Sequence, residues 1–310
     1  MTHSVYIDGQ AGTTGLDISA RLRARQDICL LEIEADKRKD PQARAEMLNS
    51  ADLVILCLPD NAARESVAMI TNSTTRVIDA STAHRTHSDW VYGLAEMYSE
   101  QRAKLAATTR TSNPGCYPQG VILSIRPLIE AGLLSANQAL TVHAQSGYSG
   151  GGRQMIEAYQ TRDKCHHDQF AATPYALELN HKHRQEMNYY SSSKPPVLFA
   201  PTVCDYYQGM LVHVPLNGLN LNRQRVHDVL SAAYEEEKFI SVQPLSDAST
   251  TFLDPTACNL SNRMDIFVFG NEQQVMITSR YDNLGKGACG AAIQNMNLML
   301  GIDEISGLSR

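Results

Sequence analysis

The fold of this chain is decided near its start by the stretch Val5-Tyr6-Ile7-Asp8-Gly9-Gln10-Ala11-Gly12-Thr13-Thr14-Gly15. A short apolar strand runs into three glycines spaced three residues apart, and residues 16–25 then carry apolar side chains at helical spacing. Backbone N–H groups at such a helix start can hold a pyrophosphate, because the helix dipole favours negative charge there. We therefore predict a dinucleotide site, with an ordinary tight turn as the alternative. The predicted cofactor contacts in this turn are Gly9, Ala11, Gly12, Thr13, Thr14 and Gly15.

Strands and helices go on alternating through the first third of the chain. Further strands are predicted over residues 28–33, 52–58, 76–79 and 105–109, and helices over residues 41–49 and 61–70. This alternation is typical of a parallel, doubly wound sheet. The sequence therefore predicts an α/β fold that begins with a Rossmann-type domain.

The pattern changes beyond Gly132. Strands are predicted over residues 139–144, 197–203 and 209–215, and a hairpin over residues 265–269 and 274–279. Residues 146–153 are too rich in glycine for the interior of a strand or helix, so a loop is predicted there. Hairpin strands indicate a second domain with a mainly antiparallel sheet, and a closing helix is predicted over residues 287–300.

The composition narrows the class of protein. At 310 residues the chain is long enough for two ordinary domains, and no apolar run approaches the roughly 20 residues that a membrane helix needs. A formal net charge of -6 does not indicate the positively charged surface that binds nucleic acid. The first residues lack a secretion signal, and seven cysteines without a CxxC pair favour reduced thiols. We expect a cytoplasmic protein that binds a small molecule and neither nucleic acid nor membrane.

One cysteine has a local sequence that the others lack. Cys116 lies in Ser112-Asn113-Pro114-Gly115-Cys116-Tyr117-Pro118, directly before an apolar run over residues 117–131 that predicts a helix. A helix N-terminus stabilises a thiolate, so this position suits a catalytic nucleophile. A small buried hydrophobe is the alternative, and we assign it to the cysteines without such a turn. These are Cys29, Cys57, Cys165, Cys204, Cys258 and Cys289.

A basic run follows the second predicted strand. Many NAD enzymes offer an acidic group to the ribose there, whereas this chain has Lys37-Arg38-Lys39. These cations predict a 2′-phosphate, and therefore NADP, with Lys37 and Arg38 as its contacts. Glu34 or Asp36 serving NAD, or a plain solvated loop, are the alternatives.

Other cations are placed to bind an anionic substrate. Arg85, Arg153 and Arg184 are candidates for phosphate or carboxylate contacts, because guanidinium binds both in bidentate fashion. Each could equally be an ordinary surface charge.

The run Asn180-His181-Lys182-His183-Arg184-Gln185-Glu186 carries acid–base groups. Two histidines and a glutamate at a predicted helix start could supply a proton donor and an orienting carboxylate. A metal site is the alternative, but histidines two apart point to different faces of a helix, and the chain has no HExxH spacing. We predict no metal, and interpret His166-His167 as a solvated pair.

Several of these segments resemble one enzyme family. The turn Asn113-Pro114-Gly115-Cys116-Tyr117-Pro118 is similar to the signature of the N-acetyl-γ-glutamyl-phosphate reductases, NADPH-dependent enzymes of arginine biosynthesis. The resemblance is to the shorter of two subfamilies and extends over nearly the whole chain. The other matching segments are residues 8–15, 37–40, 78–85, 146–153 and 282–288.

The resemblance implies a domain plan and an assembly. An NADP-binding Rossmann domain is expected over residues 1–115 and a catalytic and oligomerisation domain over residues 116–284, with residues 285–310 returning to the first. The second is expected to be an inserted α+β domain of the glyceraldehyde-3-phosphate dehydrogenase type, in a tetramer or dimer. Further cofactor contacts are expected at Asn283, Gly285 and Lys286, and further substrate contacts at Ser81, Asn113 and Ser146.

The resemblance also implies an activity. Cys116 would form a thioester with N-acetyl-glutamyl 5-phosphate, NADPH would reduce it to the 5-semialdehyde, and His181 or His183, with Glu186, would handle the proton. This chain departs from the family pattern at Gln119, where Thr is usual, and at Gln185, where Pro is usual. Alternatives are aspartate-semialdehyde dehydrogenase, a lysine-pathway reductase, or a non-catalytic NADP-binding sensor.

Overall fold

The polypeptide divides into two units. The computed structural model describes residues 2–38, 40–161, 171–219, 221–245, 251–271 and 273–310. The first unit consists of Met1–Pro114 with Ala288–Leu308, and the second of Gly115–Gly287 with Ser309–Arg310. Four residues singled out in the sequence lie outside the described residues, namely Lys39, Cys165, His166 and His167.

The first unit is built on a six-stranded parallel sheet. Its strands are β1 (His3–Asp8), β2 (Ile28–Leu31), β3 (Leu53–Leu56), β4 (Arg76–Asp79), β5 (Val91–Tyr92) and β6 (Arg110–Ser112). Their spatial order is β2-β1-β3-β4-β6-β5, with every pair parallel. The order reverses direction at β1, and ligands of such sheets bind outside the carboxyl ends of the strands at this switch point.

Four helices connect these strands. They are α1 (Thr13–Arg23), α2 (Pro41–Ser50), α3 (Asp60–Met69) and α4 (Gln101–Ala107). The strand predicted over residues 105–109 is wrong, because Leu105 lies on the buried face of α4 and the strand begins only at Arg110. Short apolar runs do not distinguish strand from helix, and the Lys-Leu-Ala-Ala sequence here favours a helix.

The second unit is built on a seven-stranded mixed sheet. Its strands are β7 (Thr141–Gly147), β8 (Ala172–Pro174), β9 (Leu198–Cys204), β10 (Met210–Pro215), β11 (Ile240–Val242), β12 (Met264–Gly270) and β13 (Val275–Tyr281). Their order is β11-β12-β13-β10-β7-β9-β8. Four pairs are antiparallel and two are parallel, so the predicted α/β fold with a second, mainly antiparallel sheet is confirmed.

The helices of the second unit include the one that begins at the predicted cysteine. They are α5 (Cys116–Glu130), α6 (Gly152–Thr161), α7 (Arg184–Tyr190) and α8 (Arg223–Tyr234). The loop predicted over residues 146–153 is wrong in part. Gly147 ends β7, a 3-10 turn follows over Tyr148–Gly151, and α6 starts at Gly152. A glycine is required at this end of the strand, because the Tyr207 backbone approaches Gly147 closely and leaves no room for a side chain.

The chain closes with a helix that packs in the first unit. A π-helical turn, Gly285–Cys289, leads into α9 (Gly290–Leu300), which ends at Gly301 with a left-handed φ of 69°. Ile293 and Met296 of α9 are completely buried in one apolar cluster with Val5 and Ile55 of the sheet. Among the described residues, the structure contains no helix with the length and apolar character to cross a membrane.

A half-buried histidine should make the stability of the second unit depend on pH. His213 lies opposite His143 in the β10–β7 pair, with Nδ1 2.9 Å from Oγ1 of Thr278. Burial lowers the pKa of His213, and the neighbouring His143 lowers it further. A lowered folded-state pKa stabilises the fold above the unfolded value of about 6.5, and this stability is lost as the pH falls.

We therefore expect the urea midpoint of unfolding to fall between pH 7 and pH 5, and the fall to be smaller in a His213→Gln variant. Denaturation curves of both proteins at the two pH values measure this. An equal loss in both proteins would contradict the assignment.

Candidate active site

The glycine turn after β1 leaves room for a ligand at one of its three glycines. Gly9 has a φ of +88°, and a Cβ placed on it would lie 2.3 Å from the carbonyl oxygen of Cys57. A Cβ on Gly15 would lie 2.6 Å from the carbonyl oxygen of Gly9. Packing therefore explains both of these glycines. A Cβ on Gly12 would meet no protein atom closer than 3.5 Å, so its glycine suits the close approach of a pyrophosphate.

Gly12 is also the N-cap of α1 and offers the helix no side-chain cap. The first N–H groups of a helix need partners, and phosphate oxygens are suitable ones. Ala11, Thr13 and Thr14 lie in or directly after the same turn, on the carboxyl side of β1. The residues present therefore fit a dinucleotide.

An ion pair at the end of β1 fixes the residue directly before this turn. Asp8, the last residue of β1, is only 5% exposed. Its Oδ2 accepts hydrogen bonds from Arg44 Nη2 and from Ser66 Oγ, each at 2.8 Å, which ties β1 to α2 and α3. This network was not predicted, because nothing in the local sequence shows that Arg44 or Ser66 reaches Asp8.

The basic run after β2 is partly neutralised within its own loop. Lys37 Nζ lies 2.7 Å from Glu34 Oε2, and both side chains are exposed. The ion pair raises the pKa of Lys37 and lowers that of Glu34. Exposed pairs of this kind are weak, so a bound phosphate can compete for Lys37.

Arg38 acts electrostatically on Tyr6 of β1. Burial and the Asp8 carboxylate raise the pKa of Tyr6 to about 12, while Arg44 and Arg38 act in the opposite direction.

The loop after β4 is fixed by a completely buried carboxylate. Asp79 accepts hydrogen bonds from the Ser81 N–H and from Ser81 Oγ, each at 2.8 Å, and lies 2.6 Å from Nδ1 of His84. The His84 ring stacks on Trp90 with centroids 4.2 Å apart. This geometry holds the backbone that carries Arg85 in one conformation.

Three of the predicted substrate residues come together here in the first unit. Arg85 Nε donates to the carbonyl oxygen of Asn113 at 3.0 Å, and Arg85 Nη2 donates to the carbonyl oxygen of Ala80 at 3.1 Å. Asn113 N–H in turn donates to the carbonyl oxygen of Asp79 at 2.7 Å. Ser81, Arg85 and Asn113 therefore belong to adjoining loops at the carboxyl ends of β4 and β6.

Cys116 is the first residue of α5, at the positive end of the helix dipole. The N–H group of Gly115, its N-cap, donates to Oε2 of the buried Glu186 at 3.0 Å. The Tyr281 hydroxyl donates to the carbonyl oxygen of Cys116 at 2.7 Å. Both contacts fix the backbone on either side of the cysteine, and the Cys116 side chain stays half-buried.

His181 is connected to the cysteine turn through two tyrosines. Its Nδ1 accepts the His183 N–H at 3.1 Å, so the neutral ring carries its proton on Nε2. This Nε2 lies 3.4 Å from the Tyr175 hydroxyl, which donates to the Tyr117 hydroxyl at 3.1 Å. Burial raises the pKa of Tyr117, and Tyr175 and Cys116 add to the rise, so Tyr117 stays a neutral hydroxyl.

The two histidines lie closer together than helical spacing predicted. α7 starts at Arg184, with His183 as its N-cap, so His181 lies before the helix. The rings of His181 and His183 are 4.7 Å apart at an interplanar angle of 76°. The two rings therefore do not point to different faces of a helix, and that prediction is wrong. No group of three or more metal-ligating side chains occurs in the described part of the chain.

The comparisons with known proteins identify the family. The profile of the semialdehyde dehydrogenase dimerisation domain matches residues 116–283, and that of the NAD binding domain matches residues 5–105. N-acetyl-gamma-glutamyl-phosphate reductase 2 of Nostoc sp. is 47% identical, with 98% of each chain covered. The chain belongs to the N-acetyl-gamma-glutamyl-phosphate reductase family. The reductase of Burkholderia cenocepacia is 45% identical over 96% of this chain and 97% of that one.

Solved structures share the fold of this chain. Aspartate semialdehyde dehydrogenase II from Vibrio cholerae aligns with a TM-score of 0.72 at 14% identity, covering 97% of this chain and 99% of that one. The aspartate semialdehyde dehydrogenase from Candida albicans, solved with NADP, aligns with a TM-score of 0.65 at 12% identity and the same coverage. At such identities the likeness extends to the fold alone.

Membership in the N-acetyl-gamma-glutamyl-phosphate reductase family makes the chain an oxidoreductase and confirms the resemblance inferred from its motifs. The match to a dimerisation domain indicates a homo-oligomer.

Other predicted cofactor contacts have partners within the second unit. The Asn283 side chain donates to Ser149 Oγ at 2.9 Å and accepts the Gly209 N–H at 2.8 Å. Lys286 is buried with its Nζ 5.9 Å from the centre of the Phe239 ring. A Cβ on Gly285 would lie 2.2 Å from the Ser261 carbonyl oxygen, so packing explains that glycine. Their contact with a cofactor stays a prediction.

Two predicted arginines have local partners. Arg153 pairs with Glu157 one helical turn later, at 2.7 Å, and its side chain is 80% exposed. Arg184 Nη1 donates to the carbonyl oxygen of Leu179. Ser146 is buried near the end of β7, and its Oγ donates to the carbonyl oxygen of Gly147 at 3.1 Å. The role of all three toward substrate stays a prediction.

Proposed function

We propose that this chain reduces N-acetyl-glutamyl 5-phosphate to N-acetyl-glutamate 5-semialdehyde with release of phosphate, as a step of arginine biosynthesis. The observation that carries the proposal is the position of Cys116 at the first turn of α5, in a chain 47% identical to an enzyme named for this reaction. A homo-oligomer, as dimer or tetramer, fits the match to a dimerisation domain. A cytoplasmic location fits the free thiols of the described cysteines.

The two units of the chain support separate roles for its segments. We assign NADP binding to residues 1–115, catalysis and oligomerisation to residues 116–284, and a return of residues 285–310 to the first domain. The pyrophosphate would be held by the N–H groups at the start of α1 and the 2′-phosphate by Lys37 and Arg38. When bound, NADPH supplies a hydride to the carbonyl carbon that Cys116 holds.

Cys116 acts as the nucleophile. Its thiolate attacks the carbonyl carbon of the acyl phosphate and forms a carbon–sulfur bond. The bond from that carbon to the phosphate oxygen then breaks, the electron pair leaves with inorganic phosphate, and a thioester remains. The N–H groups at the start of α5 stabilise both the thiolate and the oxyanion of the tetrahedral intermediate.

His181 stabilises the developing negative charge. Its Nε2–H donates a hydrogen bond to the oxygen that gains negative charge when the thioester is reduced, and so stabilises the thiohemiacetal anion. That oxygen re-forms the carbonyl as the carbon–sulfur bond breaks, so the aldehyde leaves and the Cys116 thiolate is restored. Glu186 acts as a positioning residue in this account, because its carboxylate binds the Gly115 N–H.

Anionic groups of the substrate require cations. Arg85 is our first candidate, because it is buried and its position is fixed by the Asp79 loop. Ser81, Asn113 and Ser146 are assigned as polar contacts, and Arg153 and Arg184 as further cationic ones.

The reverse assay tests the reaction. Purified protein is supplied with N-acetyl-glutamate semialdehyde, phosphate and NADP, and formation of NADPH is followed by absorbance. We expect turnover with this aldehyde and at least about 100-fold less with aspartate semialdehyde, whose amino group is not acylated. Preference for aspartate semialdehyde would identify the related dehydrogenase instead. No turnover with either aldehyde, with NADP still bound, would identify a non-catalytic sensor.

The basic run should set the choice between NADP and NAD. In a Lys37→Ala, Arg38→Ala double variant, kcat/KM with NADPH should fall about 10- to 100-fold, because two charge-assisted contacts to the 2′-phosphate are lost. With NADH it should change less than about threefold. Arg64→Ala, which removes an exposed arginine from α3, is the matched control. Equal losses with both cofactors would contradict the 2′-phosphate assignment.

A further inference from the structure

A buried amide lies one helical turn after the cysteine. Gln119 is completely buried and, as the third residue after Cys116 in α5, has its side chain on the same helical face. Its Nε2 donates a hydrogen bond of 2.8 Å to the carbonyl oxygen of Lys286. Gln119 therefore reaches from the first turn of α5 to the turn that follows β13.

Gly287, the residue after Lys286, packs against Cys116. A Cβ placed on Gly287 would lie 3.1 Å from Cβ of Cys116, so the glycine backbone packs directly against the cysteine side chain. The Gly287 N–H donates to the carbonyl oxygen of Asp282 at 2.8 Å. The peptide between Lys286 and Gly287 is thus held at its carbonyl by Gln119 and at its N–H by Asp282.

We propose that Gln119 is a positioning residue that holds the Lys286–Gly287 peptide against Cys116 and so fixes the direction of the thiolate. The inference rests on the proposed function of Cys116 as nucleophile. It assigns the amide at position 119 a part in the chemical step rather than in packing.

The side-chain carbonyl oxygen of Gln119 supports this assignment. Gln119 Oε1 is buried and has no hydrogen-bond partner among the described residues. A buried acceptor without a partner is costly, whereas an apolar side chain of the same shape carries no such cost. The bond from Nε2 to Lys286 is the feature that an apolar residue could not supply.

The neighbouring contacts restrain a different part of the turn. Glu186 binds the Gly115 N–H and Tyr281 binds the Cys116 carbonyl oxygen, so both fix the helix backbone. Gly287 instead borders the cysteine side chain itself. Losing the Gln119 bond frees the Lys286 carbonyl, which lets the peptide rotate and gives the sulfur a second direction. Misplacement of a reacting atom by about 1 Å costs on the order of 100-fold in rate.

The test compares Gln119→Met with Ser124→Ala. Methionine keeps the length and shape of the glutamine side chain but removes the donor. Ser124 is the matched control, because it is buried in the same helix and its Oγ lies 3.0 Å from Ser279 Oγ, away from the cysteine. We measure kcat, the KM for NADPH, the rate of carboxymethylation of Cys116 by iodoacetamide, and the thermal midpoint.

In Gln119→Met we expect kcat to fall about 10- to 100-fold and the alkylation rate at Cys116 to change, with the KM for NADPH within about twofold of wild type. Ser124→Ala should shift only the thermal midpoint. Wild-type kcat and alkylation in a folded Gln119→Met protein would overturn the proposal, as would equal kcat losses in both variants. If the wild type fails to reduce N-acetyl-glutamyl phosphate, the proposed function fails, while the alkylation comparison still tests Gln119.

A second variant keeps the test decisive if methionine prevents folding. A protonated carboxyl in Gln119→Glu can donate to the Lys286 carbonyl oxygen, whereas a carboxylate cannot. The alkylation rate relative to wild type should therefore approach 1 as the pH is lowered from 8 to 5. A ratio that does not depend on pH would contradict a role for the donor.

Discussion

Replacing Cys116 by serine is expected to lower kcat for reduction of N-acetyl-glutamyl 5-phosphate by at least about 1,000-fold, because a serine hydroxyl is not ionised at neutral pH and a thiolate is the effective nucleophile. Initial rates of NADPH oxidation by the purified variant measure this. Cys29→Ser removes an exposed cysteine of β2 and serves as the matched control, with activity close to wild type. A Cys116→Ser enzyme within about tenfold of wild type would contradict covalent catalysis.

The other thiols strengthen this prediction. Burial raises the pKa of Cys57 to about 12 and also raises the pKa values of Cys204, Cys258 and Cys289. These four side chains therefore stay protonated at neutral pH and are poor nucleophiles. Cys116, at the start of a helix, is the described cysteine with a structural reason to form a thiolate.

Replacing His181 by glutamine is expected to lower kcat by about 100-fold, the usual cost of weakening a positioned donor to an oxyanion. A glutamine amide is a weaker donor than an imidazole Nε2–H, so reduction of the thioester should slow while acylation of Cys116 continues. Rapid mixing of the acylated enzyme with NADPH separates the two steps.

His183→Gln is the matched comparison. His183 is the N-cap of α7, and its backbone N–H donates a hydrogen bond to Nδ1 of His181. This variant keeps that backbone N–H and should lose less activity than His181→Gln. A larger loss in His183→Gln would assign the role of oxyanion donor to His183 instead.

Local features of the site could be predicted from the sequence. The glycine turn follows a strand and opens a helix, and Cys116 opens another, so a few adjacent residues are enough to show both. The clash that a Cβ would cause at Gly9 and the room left at Gly12 explain why this turn requires glycine. Family membership of the whole chain confirms what these motifs indicated.

Contacts between distant segments could not be predicted in the same way. The Tyr175–Tyr117 pair joins residues 58 apart, and the Asp8–Ser66 bond joins another two 58 apart. No local pattern marks these partners, because packing alone brings them together. His181 was expected on a helix, yet the helix begins later, which brings the two imidazoles into contact.

The role proposed for Gln119, which departs from the family motif, could be inferred only from the structure. In the sequence it is a single residue that differs from the usual threonine. In the structure its amide binds the carbonyl oxygen of Lys286, beside the glycine that packs on Cys116.

Acylation of Cys116 is the central claim, and intact-protein mass spectrometry tests it directly. The protein is incubated with N-acetyl-glutamyl 5-phosphate without NADPH and quenched in acid, and the modified peptide is then sequenced. We predict one N-acetyl-glutamyl group for each chain, attached to Cys116 and released when NADPH is added before the quench. An active enzyme that forms no adduct, or forms it on another residue, would contradict the account.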